Sequence, residues 1–237
     1  MNKYDKSDET SYCLGTTLCF ELLLRAPQYA KTIYISPKQK RDETYDKLVA
    51  LAHLNKIPVI ENNEKIFHLS DKDNVMTIGE FKKFVSPLDP KKNHVVLVNP
   101  SNMGNLGTIL RSCAAFNIGG LAIIKPAADV YDPKCVRSSM GAIFSVPFAY
   151  FSSFEEYQKS GLLRGYYPFM LKAKTSLKDI KPTNKKEPYS LIFGNEATGL
   201  DDSFLNVGTP LIIPQSSQVD SLNLDNAVSI ALYTFCD

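Results

Sequence analysis

The stretch HVVLVNPSNMGNLGTILRSCAAFNIGGLAIIKP, residues 94–126, decides the fold. Its first seven residues, HVVLVNP (94–100), hold the unbroken apolar run VVLV, of the kind that a strand buried on both faces requires. A loop rich in glycine and asparagine follows. Residues 105–117 then place Leu106, Ile109, Leu110, Cys113 and Ala114 on one face of a helix. LAIIKP (121–126) is a second buried-type strand.

The same alternation continues downstream. PKCVRSSMGA (133–142) predicts a short helix and VPFAYF (146–151) an extended segment. A helix near 153–159 and strands near 166–171, at 189–193 (YSLIF) and at 210–213 (PLII) follow, and an apolar helix over 222–235 ends the series. Strands that alternate with helices predict an α/β fold with a mostly parallel sheet covered by helices. Upstream, SPLDPKKN (86–93) carries two prolines and charged residues, so it reads as an extended, exposed linker. Residues 1–85 read as a small α/β unit. It has a helix over 13–25, a strand KTIYIS (31–36), a helix over 42–55 with Asp42 near its start, a strand IPVI (57–60) and a short apolar segment at Val75–Phe84. The division expected is therefore 1–85, a linker at 86–93, and 94–237.

The totals fit an ordinary globular chain. In 237 residues, Lys and Arg number 27 against 25 Asp and Glu, for a net charge of +2. That balance argues against a protein that coats nucleic acid by charge alone, while leaving room for a local basic patch. No apolar run is long enough for a membrane span, and the polar start MNKYDKSDETSY lacks a signal-peptide core. The cysteines Cys13, Cys19, Cys113, Cys135 and Cys236 form no paired motif. A disulfide framework or a metal site is not expected, and a reducing cytoplasm fits. His53, His68 and His94 are isolated and read as ordinary core or surface imidazoles.

Three loops that follow strands can carry chemistry, which is where open α/β sheets place ligands. The first, NPSNMGNLGTILR (99–111), can bring backbone N–H groups close to a ligand at a helix start. It is neither GxGxxG nor a Walker loop, which argues against a nicotinamide dinucleotide enzyme. The second, FGNEATGLDD (193–202), brackets Glu196 between Gly194 and Gly199. The third, IIPQSSQVDSLNLDNA (212–227), runs through a polar loop into the last helix, which Ser221 or Asn223 can cap. Each loop alone also reads as a turn or a cap.

Taken in order, the three loops resemble the motifs of the SpoU/TrmH family of RNA 2′-O-ribose methyltransferases, of the SPOUT class. Asn105, Gly107 and Arg111 match the first motif. Gly194, Glu196, Gly199 and Leu200 match the second, and Ile213, Pro214, Ser221, Leu222 and Asn223 the third. The resemblance covers about 94–237. It implies a C-terminal trefoil knot, S-adenosylmethionine as the methyl donor, and contacts to it from Gly194, Asn195, Gly199, Ile213, Pro214, Ser221 and Leu222. It implies Asn105, Arg111, Glu196, Ser221 and Asn223 as the catalytic set. Arg111 stands as a proposed base or, since guanidinium stays protonated, as an electrostatic clamp. Glu196 either anchors loops or contacts Arg111. The first unit is more weakly similar, by pattern alone, to a ribosomal-protein-like RNA-binding domain.

The resemblance also implies a homodimer and an RNA substrate, ribosomal RNA preferred, with transfer RNA as the alternative. A non-catalytic RNA-binding protein that kept the fold is a rival, as is methylation of a base nitrogen. Lys38, Lys40 and Arg41 form one candidate RNA contact. Arg137 is another. Lys172 and Lys174 begin a third, a run that includes Lys178, Lys181, Lys185 and Lys186 and reads equally as a solvated loop.

Overall fold

The computed structural model describes residues 4–61, 68–69, 74–161, 163–180 and 187–235. The chain divides into two units, Met1–Phe84 with Asp129–Ser145, and Val85–Ala128 with Val146–Asp237. The segment 129–145 therefore groups with the first unit, not with the sequence that flanks it.

The first unit begins with β1 (Thr10–Leu14), followed by α1 (Thr16–Arg25), β2 (Ala30–Ile35), α2 (Glu43–Leu54), β3 (Val59–Glu61) and β4 (Thr77–Lys82). The strands form one sheet in the order β1-β4-β2-β3. Residues 13–14, expected in the first helix, are instead the end of β1. Tyr12, Cys13 and Leu14 are apolar enough for either state, and pairing with β4 decides for the strand. Gly15, at φ 114°, then turns the chain into α1. Asp42 caps α2 by accepting from the Thr44 and Tyr45 amides. Gly79 packs against Leu22 and Cys19 of α1, so the sheet lies close to that helix.

The second unit is built on β5 (His94–Val98), where Val95, Val96 and Leu97 are all fully buried. Both faces of this strand are covered, as its unbroken apolar run required. α3 (Met103–Ala115) follows, with Leu106, Ile109, Leu110 and Cys113 buried, and then β6 (Gly120–Ile124). The helix starts two residues before the expected 105, because the Asn102 side chain accepts from the Asn105 amide and caps it.

After β6 the chain passes to the first unit and forms α4 (Pro133–Ser138). There Ser11 of β1 donates its hydroxyl to the Tyr131 carbonyl, and the Phe81 and Phe144 rings meet edge to face at 5.2 Å. The chain returns with β7 (Phe148–Phe151), α5 (Phe154–Lys159), β8 (Gly165–Pro168), β9 (Thr175–Ser176), β10 (Tyr189–Phe193), β11 (Leu211–Ile212) and α6 (Leu224–Phe235). Five of these strands form a parallel sheet in the order β7-β6-β5-β10-β8. The predicted α/β architecture with a mostly parallel sheet is thus the one observed. The two-residue β9, paired with β11, escaped the sequence reading, since two residues carry no periodicity.

Strand order reverses between β5 and β10, so the loops after these two strands diverge at a switch point. Val96, Ala122, Ile124 and Ile192 pack on one side of the sheet with Phe154, Tyr157 and Phe204.

The opposite edge of the sheet is closed by a buried arginine. Arg164 is 4% exposed, and its Nη1 donates to His94 Nδ1 (2.9 Å), Tyr157 Oη (3.2 Å), Ser190 Oγ (3.2 Å) and the Lys92 carbonyl (3.3 Å). Its Nη2 donates to the Pro90 carbonyl at 2.6 Å. These partners include no carboxylate, so the charge is solvated by dipoles. His94 Nε2 faces the Asp89 carbonyl at 2.9 Å, and a carbonyl only accepts. Nε2 therefore carries the proton, and Nδ1 is free to accept from Arg164. Burial, and then the Arg164 charge, push the His94 pKa down to about 4. The linker expected to be extended and exposed is thus held by three of its carbonyls to the second unit.

Among the described residues, no helix is long and apolar enough to cross a membrane, and no group of three His, Cys, Asp or Glu side chains is placed to hold a metal ion. Cys13, Cys19, Cys113 and Cys135 are buried thiols, none of them in a disulfide.

Candidate active site

Glu196 organises the switch point. Its carboxylate accepts from the Ser101 amide (3.0 Å), the Ser101 hydroxyl (2.8 Å), the Asn102 amide (3.1 Å) and the Asn105 side chain (3.2 Å). Burial acts to raise its pKa, but these donors together outweigh it and the net shift is downward, so the group is ionised at neutral pH. The carboxylate thereby fastens the loop after β10 to the loop after β5. Asn195 adds a second stitch, its Nδ2 donating to the Asn99 carbonyl at 2.7 Å while its Oδ1 accepts from the Ala197 amide.

The third segment joins through Asn223. Its Nδ2 donates to Asn105 Oδ1 at 3.4 Å, and Asn105 Nδ2 donates back to Asn223 Oδ1 at 3.3 Å. The Asn223 side chain also accepts from the Leu224 amide at 2.9 Å, at the start of α6. Asn105, Glu196 and Asn223 thus converge from three loops that the sequence had marked separately.

The loop over 194–200 is closed tightly on itself. A Cβ at Gly194 would stand 2.1 Å from the Gly199 carbonyl carbon and 2.3 Å from the Leu200 nitrogen, so only glycine fits. Gly199 adopts φ 69° with open space around it.

Beside this junction lies a cavity of about 660 Å³. Its wall includes Gly194, Asn195, Glu196, Gly199, Ile213 and Ser221, together with Leu222. Pro214, also expected at the cofactor, is exposed and does not line it. The Phe169 and Phe193 side chains are stacked on the same wall. At the rim, Lys172 Nζ pairs with Asp202 at 2.7 Å, both side chains being about two-thirds exposed. Lys172, expected to meet RNA, is therefore already engaged, whereas Lys174 is exposed.

Arg111 lies six residues beyond Asn105 on α3 and is exposed. Among the described residues its guanidinium makes no hydrogen bond or ion pair, and Glu196 meets Ser101 and Asn102 rather than Arg111. Arg111 is thus free for a ligand. Ser221 is exposed at the cavity.

In the first unit, Lys38 and Lys40 are exposed, while Arg41 is bound by Glu61 and lies 5.0 Å from the Tyr45 ring centre. Arg137 sits half-buried in α4, in the first unit. Lys181, Lys185 and Lys186 lie outside the described residues.

Sequence reasoning missed Ser101, Asn102 and Phe169. The first two precede Gly104 in the same Asn- and Gly-rich loop, so a cap signal was present there. Phe169 gave no signal, because an aromatic at a strand end reads as core.

Residues 92–233 match the SpoU rRNA Methylase family. A 23S rRNA (uridine(2479)-2′-O)-methyltransferase from Streptomyces viridochromogenes is 34% identical over 59% of this chain and 50% of that protein. A putative tRNA (cytidine(34)-2′-O)-methyltransferase from Listeria monocytogenes is 31% identical over 60% of this chain and 85% of that one. The chain spans about half the length of the first of these relatives. An AdoMet-bound rRNA methyltransferase from Sinorhizobium meliloti superposes with a TM-score of 0.79 at 26% identity, covering 95% of this chain and 86% of that one. The family match takes in all three loops that meet at Glu196, and the chain belongs to the SpoU rRNA methylase family.

Proposed function

We propose that the chain is an S-adenosylmethionine-dependent RNA methyltransferase that modifies a ribose 2′-hydroxyl, with ribosomal RNA as its substrate. The observation that carries this reading is the convergence of Asn105, Glu196 and Asn223 beside the cavity, with Arg111, unpaired among the described residues, on the same helix as Asn105.

The cavity suits the methyl donor. Its volume lies in the range of small-molecule sites, and its lining includes Ile213 and Leu222 as apolar walls, the glycine at Gly194, and carboxylates at Glu196 and Asp220 for a cationic ligand. When bound, S-adenosylmethionine supplies a methyl group already activated on a sulfonium. The residues of the chain supply alignment. Asn105 and Asn223 hold each other's amides and so fix the start of α3 against the start of α6. Arg111, permanently charged, grips the phosphate beside the target ribose and stabilises negative charge on its oxygen, with phosphate or solvent taking the proton. Ser221 reaches the ribose or the donor from the cavity wall.

The wider reading follows the family resemblance. The segment from Gly194 to Asn223 forms the trefoil knot, the protein is a cytoplasmic homodimer, and the first unit binds RNA through Lys38 and Lys40. Likeness across both units favours ribosomal RNA. By structure, the S. meliloti rRNA methyltransferase covers 95% of the chain, whereas a protein solved for 2′-OH methylation of C/U34 on tRNA covers 61%.

Incubation of the protein with labelled S-adenosylmethionine and either ribosomal or transfer RNA tests this. Label in an alkali-resistant dinucleotide from ribosomal RNA is expected. Label in an alkali-labile nucleotide would overturn the ribose target, and label in transfer RNA alone would overturn the choice of RNA.

A further inference from the structure

Asn99 ties the loop after β6 to the junction at Glu196. Its amide donates to the Ile124 carbonyl at 3.0 Å and its Nδ2 to the Pro126 carbonyl at 3.4 Å, while its own carbonyl accepts from Asn195. Lys125 lies between Ile124 and Pro126 and donates its amide to the Phe151 carbonyl at 2.9 Å, so its backbone is held from both sides. The Lys125 side chain is exposed, with Nζ 5.5 Å from the centre of the Tyr150 ring. Tyr150 is itself held, its hydroxyl donating to the Ala128 carbonyl at 2.9 Å. Among the described residues Lys125 makes no ion pair. The Glu156 carboxylate is within electrostatic reach, but it accepts from the Ser152 hydroxyl and amide. These bonds first, and the Lys125 charge last, hold its pKa below the usual carboxylate value.

β6 runs parallel to β5 with Ile124 opposite Val98, so Lys125 stands at the same end of the sheet as the loops that meet at Glu196. Tyr150 belongs to β7, on the far side of β6 from β5. The ammonium therefore lies on the outer flank of that end, one to two strand spacings from β5, or roughly 5–10 Å. An RNA strand laid across this end, with its target ribose at the switch point, brings the phosphate of a neighbouring nucleotide over that flank. We propose that Lys125 binds this phosphate, with the Tyr150 ring holding the ammonium in place. This role rests on the RNA reading made above and places a contact within the second unit itself. Lys125 meets no reacting atom, unlike Arg111. It sets the grip on RNA and leaves the chemical step to other residues.

Filter binding of labelled ribosomal RNA to the full chain, at salt stepped from 50 to 200 mM, tests the contact. Loss of one phosphate contact lowers the slope of log affinity against log salt by about 0.7–0.9. K125A should therefore bind about tenfold more weakly than the parent at 50 mM and about threefold more weakly at 200 mM. K125R, which keeps the charge, should restore both affinity and slope. K159A removes an exposed lysine at the end of α5 and should leave the parental slope. In turnover, K125A should raise KM for RNA and spare kcat, and calorimetry should find S-adenosylhomocysteine bound as by the parent. Melting curves report folding of each variant. A parental slope in K125A, an equal change in K159A, or a fall in kcat at unchanged KM would overturn the role of Lys125. If the parent binds no ribosomal RNA, the substrate assigned above falls, and this role with it.

Discussion

Asn105 and Asn223 hold each other through reciprocal amide hydrogen bonds of 3.3 and 3.4 Å across 118 residues of sequence. Each bond is long, and each amide has a further partner, Glu196 for Asn105 and the Leu224 amide for Asn223. The pair therefore acts as a spacer between two helix starts more than as a source of stability. Replacing either by alanine should lower methyl transfer strongly, with a stability cost of about 1 kcal/mol. The double replacement should cost less than the sum of the two, because both remove one contact. Additive losses in transfer rate would show that the two amides work independently.

Arg111 should behave in the opposite way to a structural residue. It is exposed, and no partner within the described residues depends on it. Arg111→Ala should abolish transfer while changing stability by no more than about 0.5 kcal/mol. Cofactor binding should survive. A large drop in melting temperature, or turnover near the parental rate, would contradict the assignment.

Glu196→Gln keeps the shape and removes the charge that four donors face. Hydrogen bonds to a charged acceptor are worth about 1.5–3 kcal/mol, so stability should fall by a similar amount. The folded pKa of Glu196 lies below that of an ordinary carboxylate. Its contribution is therefore present above the unfolded value and is lost as pH falls through the folded one. Glutamine should remove that acid-range dependence, which chemical denaturation at stepped pH will show.

His94 sets a second pH window. Its folded pKa is about 4 against 6.5 for a free imidazole. Between those values the unfolded chain binds the extra proton, so stability rises with pH across the window and is complete above 6.5. Acidification from 6.5 to 4 should remove about 3 kcal/mol at most. His94→Gln, neutral throughout, should flatten this part of the curve. A slope that persists in the variant would place the titrating group elsewhere.

Gly194 and Gly199 offer a contrast within one loop. A methyl group at Gly194 would strike backbone at 2.1 Å, whereas nothing lies within 4 Å of one at Gly199. Gly199→Ala should cost only the strain of its φ of 69°, about 1–2 kcal/mol. Gly194→Ala should abolish cofactor binding. Equal effects from the two would contradict the tight closure of the loop.

Much of this was legible in the sequence because it rests on periodicity and on order. The unbroken apolar run at 95–98 announced a strand covered on both faces, and Val95 to Leu97 are buried as that demands. The three loops after strands were visible, the first two by their Asn and Gly residues and the third as a polar stretch. What stayed hidden depends on contacts between distant residues. The last two residues of β1 were read as helix because Cys13 and Leu14 suit both states until β4 chooses. The grouping of 129–145 with the first unit depends on Ser11 and Phe81, more than 60 residues upstream. Glu196 was marked, but its donors Ser101 and Asn102 could not be, since no spacing rule joins residues 95 positions apart.

Arg164 carries a practical consequence for dividing the chain. By sequence, the natural cut falls after the proline-rich stretch, at His94. A polypeptide begun there would leave a buried guanidinium facing the empty places of the Pro90 and Lys92 carbonyls, and His94 without Asp89. The thermodynamic frontier of the second unit thus lies several residues upstream of its first strand. A transplant or fusion that respects it must carry Asp89 to Asn93 along, as one inseparable cargo with the sheet they cap.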